Sequence, residues 1–262
     1  MRELAAVIGL EVHVQLETDT KVFCGCSTEP GDDEAPNTRT CPVCLGLPGA
    51  LPVLNEGAVE AAIKVGKALG SKIPKETRFH RKNYYYPDLP KNFQITQYDA
   101  PVCDGGELEF SVGGDRKTVR IERAHLEEDP GSLTHTGGSI DTADHTLVDY
   151  NRAGVPLMEI VTEPDFRRPT EVRGFLSKLE SVLEYLGIFD ADRDGSLRVD
   201  ANISMVDSEM FASTRRLPSR SASKMPRYSR TEVSFARNAR TSSAARKSGR
   251  VTISIRGVPA RL

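Results

Sequence analysis

Hydrophobic and polar residues alternate strictly near the start of the chain, between Ile8 and Glu17. A period of two sends successive side chains to opposite faces and predicts a half-buried β-strand. The polar face carries Glu11 and His13 two residues apart, as two ligands of one metal ion would lie. A solvated strand face explains the same pattern and, from this strand alone, is the favoured interpretation, because such polar faces are common.

Two later segments have the period of amphipathic helices. Asn55 can accept a hydrogen bond at the start of a helix that runs to about Leu69, with Gly70 closing it. Thr170 is predicted to cap a second helix, which Gly187 ends. The apolar positions of both helices are therefore expected to face a core.

The segment around Gly113-Gly114-Asp115 predicts a turn between two strands. Strands and helices come in separate runs, without the regular alternation of a doubly wound parallel sheet. The pattern therefore predicts an α+β fold with an antiparallel sheet.

The composition changes after Val206. Residues 207–262 contain 11 Arg and 11 Ser and carry a net charge of 13 − 3 = +10, whereas residues 1–206 carry 22 − 34 = −12. Such a tail buries little apolar surface, which predicts an irregular or disordered segment. It fits a basic RNA-binding tail, a segment without a specific role, or an out-of-frame translation. The acidic body fits either a salt-rich cytoplasm or an ordinary enzyme surface.

Four of the five cysteines form two close pairs separated by fourteen residues. This spacing suits tetrahedral zinc, and four thiolates leave no open position for a substrate, so a structural ion is expected. A redox role for Cys41 and Cys44 alone would leave Cys24 and Cys26 unexplained.

No apolar run of membrane-spanning length and no secretory leader is recognisable. We therefore expect a cytoplasmic protein without a membrane partner, whose thiols stay reduced.

Two further segments contain residues suited to chemistry. Residues 78–101 combine four tyrosines with Arg81, Lys82 and Lys91, which suits a nucleotide or an RNA end as well as a packed aromatic interface. The run "HLEED" at residues 125–129 concentrates carboxylates, which are either well solvated or neutralised by a hard cation such as Mg2+.

The segment "LVDYNRAGVPLMEIVTEPD", residues 147–165, is similar to the signature of the B-subunit family of tRNA-dependent aspartyl/glutamyl-tRNA amidotransferases. The segments "IGLEVHVQLETDTKVFCGCS", "CPVCLGLPGALPVLN", "RKNYYYPDLPKNFQITQYD", "HLEEDPGS" and "GSLRVDANIS" resemble the same family. These motifs occur in family order across residues 5–206.

The resemblance implies a glutamine-synthetase-like cradle, here with a four-cysteine zinc knuckle. It implies an ATP-dependent ligase that phosphorylates and then amidates Glu-tRNA(Gln), Asp-tRNA(Asn) or both. Ammonia would come from glutamine hydrolysed by an amidase-type A subunit, with a small C subunit joining the two.

The family also implies roles for individual residues. The implied Mg2+ ligands and catalytic residues are Glu11, His13, Glu127 and Glu128. The implied zinc ligands are Cys24, Cys26, Cys41 and Cys44. The residues implied to line the nucleotide site are Lys82, Tyr84, Tyr85, Asp149, Asn151, Arg152 and Glu159.

The chain departs from the family in two places. Ser132 follows Gly131 where bacterial relatives typically have a lysine. After residue 206 the rest of the cradle and the tRNA-binding domains are not recognisable. Residues 1–206 are therefore interpreted as an incomplete cradle domain, and residues 207–262 as an Arg/Ser-rich tail that is either disordered or out of frame. We expect weak or absent turnover from such a chain. The alternatives are an archaeal E-type relative, an inactive fragment, and a non-catalytic zinc-stabilised RNA-binding module.

Overall fold

The fold was obtained as a computed structural model that describes residues 4–137, 143–193, 195–207, 230–232 and 252–256. The first half of the described chain contains β1 (Leu4–Gln15), α1 (Glu56–Ala68), β2 (His80–Asn83), β3 (Phe93–Thr96), β4 (Cys103–Asp104), β5 (Glu107–Val112) and β6 (Asp115–Glu128). The second half contains β7 (Ser132–Thr136), β8 (His145–Asp149), β9 (Pro156–Thr162), α2 (Pro169–Tyr185), β10 (Leu197–Asp207), β11 (Arg230–Glu232) and β12 (Thr252–Arg256).

Within the described residues, one antiparallel sheet contains eight strands. Its order is β11-β10-β1-β9-β6-β4, with β12 also paired to β10 and β5 to β6. Two smaller antiparallel pairs, β2 with β3 and β7 with β8, complete the β structure. The antiparallel sheet and the mixture of helices and strands confirm the coarse fold prediction, while the likeness to a glutamine-synthetase cradle stays a prediction.

The strand predicted from the alternating pattern lies inside this sheet, between β10 and β9. Its even-numbered residues are buried in one continuous hydrophobic core together with apolar residues of α1 and α2. Phe166 and Phe175 meet edge to face in this core, with ring centroids 5.2 Å apart. The helices therefore cover one face of the sheet, and the opposite face carries Glu11 and His13.

The helix ends agree with the sequence except at the start of α2. Asn55 Oδ1 accepts the backbone N–H of Ala58 (3.3 Å), and Gly70 has the positive φ of 67° that closes α1. The predicted cap Thr170 lies inside α2, which begins at Pro169. Proline suits the first helical position because its missing N–H would have no helical partner there.

The N-cap residue of α2 is Arg168, and the side chain of Glu171, three residues later, binds the backbone at this end of the helix. Its buried carboxylate accepts the backbone N–H groups of Arg167 (2.8 Å) and Arg168 (3.3 Å) and forms an ion pair with Lys117 (2.9 Å). Burial on its own raises the pKa of Glu171, but the hydrogen bonds from Lys117 and the Arg167 N–H outweigh it and lower this pKa to about 2. The ionised carboxylate therefore stabilises the folded state.

We expect Glu171→Gln to lower the free energy of unfolding by on the order of 2 kcal/mol at neutral pH. Because the folded pKa lies below the ordinary value of 4.5, this contribution is present above about pH 4.5 and is lost as the pH falls towards 2. Urea titrations of the parent and variant from pH 3 to pH 7 measure the difference. Glu109→Gln is the control, because the Glu109 carboxylate forms an exposed pair with Arg116. A Glu171→Gln deficit of the same size at every pH would contradict the assignment.

The predicted irregular C-terminal part needs correction in two short segments. β11 and β12 pair antiparallel with β10 along its outer edge. A strand edge offers unpaired backbone groups to another segment, and the β-branched residues of "TISIR" favour an extended conformation. Residues 208–229, 233–251 and 257–262 lie outside the described residues. In the described part of the chain, neither helix has the length and hydrophobicity needed to cross a membrane.

Candidate active site

A row of ionisable side chains crosses three neighbouring strands on the face of the sheet away from the helices. His13 on β1 lies opposite Glu159 on β9, and Glu159 lies opposite His125 on β6. His13 Nε2 is 3.3 Å and His125 Nε2 is 3.8 Å from Glu159 Oε2. Cross-strand register therefore brings together residues that are far apart in the sequence.

Glu127 completes a compact group with His13 and Glu159. Its Oε1 lies 3.7 Å from His13 Nε2, and its Oε2 accepts a hydrogen bond from Thr96 Oγ1 (3.2 Å). One ligand atom from each of the three residues lies within 4.8 Å of the others. Two carboxylates and one imidazole at this separation fit a single divalent cation.

The electrostatics of this group favour a bound cation. Burial and the neighbouring charge of Glu159 raise the pKa of Glu127. Burial would also raise the pKa of Glu159, but the hydrogen bond from His13 and the two histidines lower it. Burial lowers the pKa of His13, yet its bond to Glu159 and the charge of Glu127 raise it overall. Protons therefore neutralise a buried negative cluster that a metal ion could neutralise instead.

Glu11 lies next to this group without joining it. Its Oε1 accepts a hydrogen bond from Asn202 Nδ2 on β10 (3.1 Å). Burial, followed by the charge of Glu159, raises the pKa of Glu11. Glu11 therefore adds negative potential beside the His13, Glu127 and Glu159 group.

Glu128 is the predicted Mg2+ ligand that the structure separates from this group. Its carboxylate forms an ion pair with Lys91 and accepts the backbone N–H of Ile95 (3.1 Å). Successive residues of a strand point to opposite faces, so Glu127 and Glu128 cannot both face the metal group from β6. Glu128 instead joins the end of β6 to β3.

A cleft of about 520 Å³ opens above the acidic row. Its lining includes Glu11, His125 and Glu159, together with three cationic side chains: Arg81, Lys82 and Arg123. The carboxylates face a partly cationic wall, an arrangement that suits a ligand carrying both phosphate groups and a metal ion.

Two polar atoms in the lining of this cleft have no hydrogen-bond partner among the described residues. They are His125 Nδ1 and Arg123 Nε, and both are buried. His125 is 3% exposed, and burial lowers its pKa to about 4, so its imidazole is neutral at pH 7. Buried polar atoms normally find a partner, so these two atoms are exceptions in the part of the chain that the structure describes.

The two predicted tyrosines differ in position. Tyr84 is half-buried, its ring centroid lies 5.8 Å from Lys82 Nζ, and burial followed by the nearby carboxylates raises its pKa to about 12. Tyr85 is 85% exposed, and neither of these two tyrosines is part of the cleft lining. Only Tyr84 therefore lies close to the acidic row.

The four predicted cysteine ligands lie together. All four Sγ atoms are within 4.8 Å of one another, and those of Cys41 and Cys44 are 3.8 Å apart. A tetrahedron with zinc–sulfur bonds of about 2.3 Å has edges of about 3.8 Å, so this group fits a zinc ion.

The predicted nucleotide-site residues Asp149 and Asn151 contact the loop between the cysteine pairs. Asp149 Oδ1 accepts the backbone N–H of Asn37 (2.9 Å), and Asn151 Oδ1 accepts that of Arg39 (2.8 Å). Neither residue lines the cleft. They join the cysteine loop to the segment between β8 and β9.

Arg152 and Asp129 connect that segment to the acidic face. Arg152 donates to the carbonyls of Pro130 (3.0 Å) and Gly131 (2.8 Å). The buried Asp129, not predicted as a site residue, accepts hydrogen bonds from Gln15 (2.6 Å) and Arg198 (2.7 Å). Asp129 directly follows two glutamates in the sequence, and this position is the signal by which it could have been predicted. The turn after β6 is thereby fixed to β1 and β10.

Comparison with known proteins identifies the family. Residues 6–221 match the family model described as the GatB/GatE catalytic domain. The chain is 82% identical over 206 residues to the B subunit of the aspartyl/glutamyl-tRNA(Asn/Gln) amidotransferase of Natronomonas pharaonis, a match that covers 79% of this chain and 42% of that protein.

Two further relatives carry the same name. Identity is 76% over 211 residues to the Halobacterium salinarum protein, covering 80% of this chain and 42% of the relative. It is 58% over 209 residues to the Methanospirillum hungatei protein, covering 80% and 44%. The chain thus spans less than half the length of the curated relatives it matches. It belongs to the GatB/GatE catalytic domain family.

Proposed function

We propose that the acidic row and its cleft form the metal- and nucleotide-binding site of a tRNA-dependent amidotransferase. ATP would phosphorylate the side-chain carboxylate of a glutamate or aspartate esterified to tRNA, because a carboxylate is a poor electrophile. Ammonia would then displace the phosphate and leave the amide. The observation that carries this proposal is the group of His13, Glu127 and Glu159, of which Glu159 lines the cleft together with cationic side chains.

His13, Glu127 and Glu159 would hold the Mg2+ ion, with Glu11 adding negative potential beside it. A bound Mg2+ supplies positive charge that polarises phosphate oxygens. In the proposed ligand set Glu159 takes the place of the family-implied Glu11 and Glu128. Glu128 is held by Lys91 and the Ile95 N–H, and Glu11 accepts a hydrogen bond from Asn202.

The cationic side chains counter the acidic row. A phosphorylated nucleotide and a substrate carboxylate are both anions, and carboxylates alone would repel them. The positive charge of Lys82 favours the ionised forms of Glu127 and Glu159. Arg123 is oriented by its ion pair with Glu122 (2.6 Å). We assign to Lys82 and Arg123 the charge compensation of the phosphate groups.

The name shared by the relatives supports a multi-subunit enzyme that acts on tRNA, and the remaining parts of the proposal follow from the family resemblance. The chain would act in the cytoplasm with an amidase-type A subunit, which releases ammonia from glutamine, and with a small C subunit. Its tRNA substrates would be Glu-tRNA(Gln), Asp-tRNA(Asn) or both. Structural zinc at the four cysteines belongs to the same proposal.

Lys82→Met is expected to weaken binding of ATP in the presence of Mg2+ at least about tenfold, the affinity change that corresponds to about 1.4 kcal/mol. The variant keeps an apolar stem but removes the charge next to the acidic row. Isothermal titration calorimetry measures the affinity. Lys64→Met on the exposed face of α1 is the matched control. Equal affinities for the parent and Lys82→Met would contradict the assignment of Lys82.

The alternative, a non-catalytic RNA-binding module, has one observation in its favour. Tyr85 and Tyr98 are 85% and 72% exposed near Arg81 and Lys82, and exposed rings with basic neighbours suit stacked bases. Filter binding of unacylated tRNA to the same preparations separates the two functions. Binding of tRNA by a parent chain that does not bind Mg2+ and ATP would favour the module and overturn the enzymatic proposal.

A further inference from the structure

Lys21 is a fully buried lysine beside the cysteine group. Its exposed fraction is 0%, and it belongs to the largest completely buried side chains. Its ammonium group donates a hydrogen bond to the backbone carbonyl of Arg39 (2.8 Å) and lies 3.9 Å from Cys44 Sγ. Lysine is almost never buried to this extent unless its charge is paired.

The surroundings of Lys21 supply no carboxylate partner. Among the described residues, no aspartate or glutamate oxygen lies within ion-pair distance of its Nζ atom. A carbonyl satisfies one N–H but does not neutralise the charge, and an unpaired buried charge is strongly unfavourable. The sulfur of Cys44 is therefore the nearest group that can carry a negative charge.

Four thiolates around one Zn2+ have a formal charge of 2 − 4 = −2, which is unfavourable in a partly buried site. An ammonium group next to one sulfur reduces this charge to −1 and can donate an N–H to the sulfur. Partners outside the ligand sphere commonly orient and stabilise metal ligands in this way. The buried positive charge of Lys21 and the negative charge of the four thiolates with their zinc ion are thus opposite in sign and lie next to each other.

We propose that Lys21 is the charge partner of the four-cysteine metal centre. The inference rests on the structural zinc of the proposed function and extends it to a residue outside the ligand set. Each charge makes burial of the other favourable, so metal binding and burial of Lys21 are coupled.

The backbone around Lys21 gives this coupling a structural consequence. Lys21 N–H donates to the carbonyl of Cys26 (2.9 Å), and the next N–H, of Val22, donates to that of Gly154 (2.9 Å). A Cβ atom at Gly154 would lie 3.6 Å from both Lys21 Cδ and Cys44 Cβ, so the three segments pack closely. Lys21 therefore joins the chain leaving β1 to the cysteine group and to the segment before β9.

The test compares Lys21→Gln with the parent in zinc-loaded and zinc-free forms. Glutamine keeps an N–H donor for the Arg39 carbonyl but removes the charge. We expect zinc affinity, measured by competition with a chromophoric chelator, to fall about 10- to 100-fold. The zinc-loaded variant should unfold at a lower temperature than the zinc-loaded parent. The zinc-free variant should unfold at the same or a higher temperature than the zinc-free parent, because it no longer buries an uncompensated cation.

Lys64→Gln, on the exposed face of α1, is the matched control and should change neither quantity. Lys21→Met provides a second neutral variant if the glutamine variant does not fold. It too should unfold at a lower temperature than the parent with zinc, and at the same or a higher temperature without zinc. Unchanged zinc affinity, or equal destabilisation of the loaded and zinc-free forms, would overturn the inference. A parent protein that binds no zinc would overturn it as well. The Mg2+-dependent ATP titration would still test the nucleotide site separately.

Discussion

Glu127→Gln is expected to remove Mg2+-dependent ATP binding while leaving the metal-free protein at least as stable as the parent. Glu127 is one of three residues whose ligand atoms can meet at one ion. Loss of a ligand should lower metal affinity at least about 100-fold, because even partners outside the ligand sphere contribute about 10- to 100-fold. The stability expectation has a different origin: burial and the charge of Glu159 disfavour the ionised form of Glu127 and raise its pKa.

Glutamine has nearly the same shape and can still accept the hydrogen bond from Thr96. It removes the unfavourable charge without opening a cavity, so lost binding cannot be attributed to unfolding. Calorimetric titration with Mg2+ and ATP, together with thermal unfolding of the metal-free protein, measures both effects. Glu60→Gln, on the exposed surface of α1, is the control. Undiminished Mg2+-dependent ATP binding by the Glu127 variant would remove this glutamate from the proposed site.

The sequence predicts the strand that supports the site but not its neighbours. The period of two in β1 places Glu11 and His13 on one face, and the structure agrees. Which residue lies opposite His13 depends on strand order and register, since β9 begins more than a hundred residues later. Local periodicity contains no information about that register, so the contact between His13 and Glu159 could not be derived from it.

For the acidic run on β6, the alternation of side chains along a strand would have been sufficient to predict which residues share a face. Alternation along a strand separates Glu127 from Glu128 and puts His125 on the face of Glu127. Family resemblance grouped both glutamates at one metal ion and omitted His125. The structure instead pairs Glu128 with Lys91 and leaves His125 in the lining of the cleft.

The cysteine spacing predicted a four-ligand group, and the four sulfur atoms lie together. What the loop between the pairs contacts was not predictable, because several of those contacts are made by backbone groups, whose partners the residue types do not specify. The N–H groups of Asn37 and Arg39 bind Asp149 and Asn151, two residues that the family resemblance assigned to the nucleotide site. Hydrogen bonds therefore connect the loop between the cysteine pairs to the segment before β9.

This connection leads to the second large effect: Cys44→Ser is expected to abolish tight zinc binding and to loosen residues 24–54 as a unit. Between β1 and α1 the described chain forms no helix and only an isolated bridge, between Thr20 and Ser27. Few apolar residues are buried there, so the segment depends on its hydrogen bonds and, under the proposed function, on zinc at the four cysteines. Serine is a much poorer zinc ligand than a thiolate, and loss of a structural zinc removes the stabilisation that binding contributes.

Hydrogen exchange and zinc analysis measure this effect locally. Exchange of the Asn37 and Arg39 amides should accelerate at least about 100-fold, whereas amides in the core of α2 should keep their protection. Cys103→Ser is the matched control, because Cys103 lies outside the group of four cysteines and its sulfur contacts the Ala62 carbonyl (3.4 Å). Unchanged exchange at Asn37 and Arg39 in a zinc-free Cys44→Ser protein would show that the loop holds without the ion. Faster exchange in α2 as well would indicate that the ion stabilises the whole domain, because the loosening caused by its loss would then extend through β1 into the core.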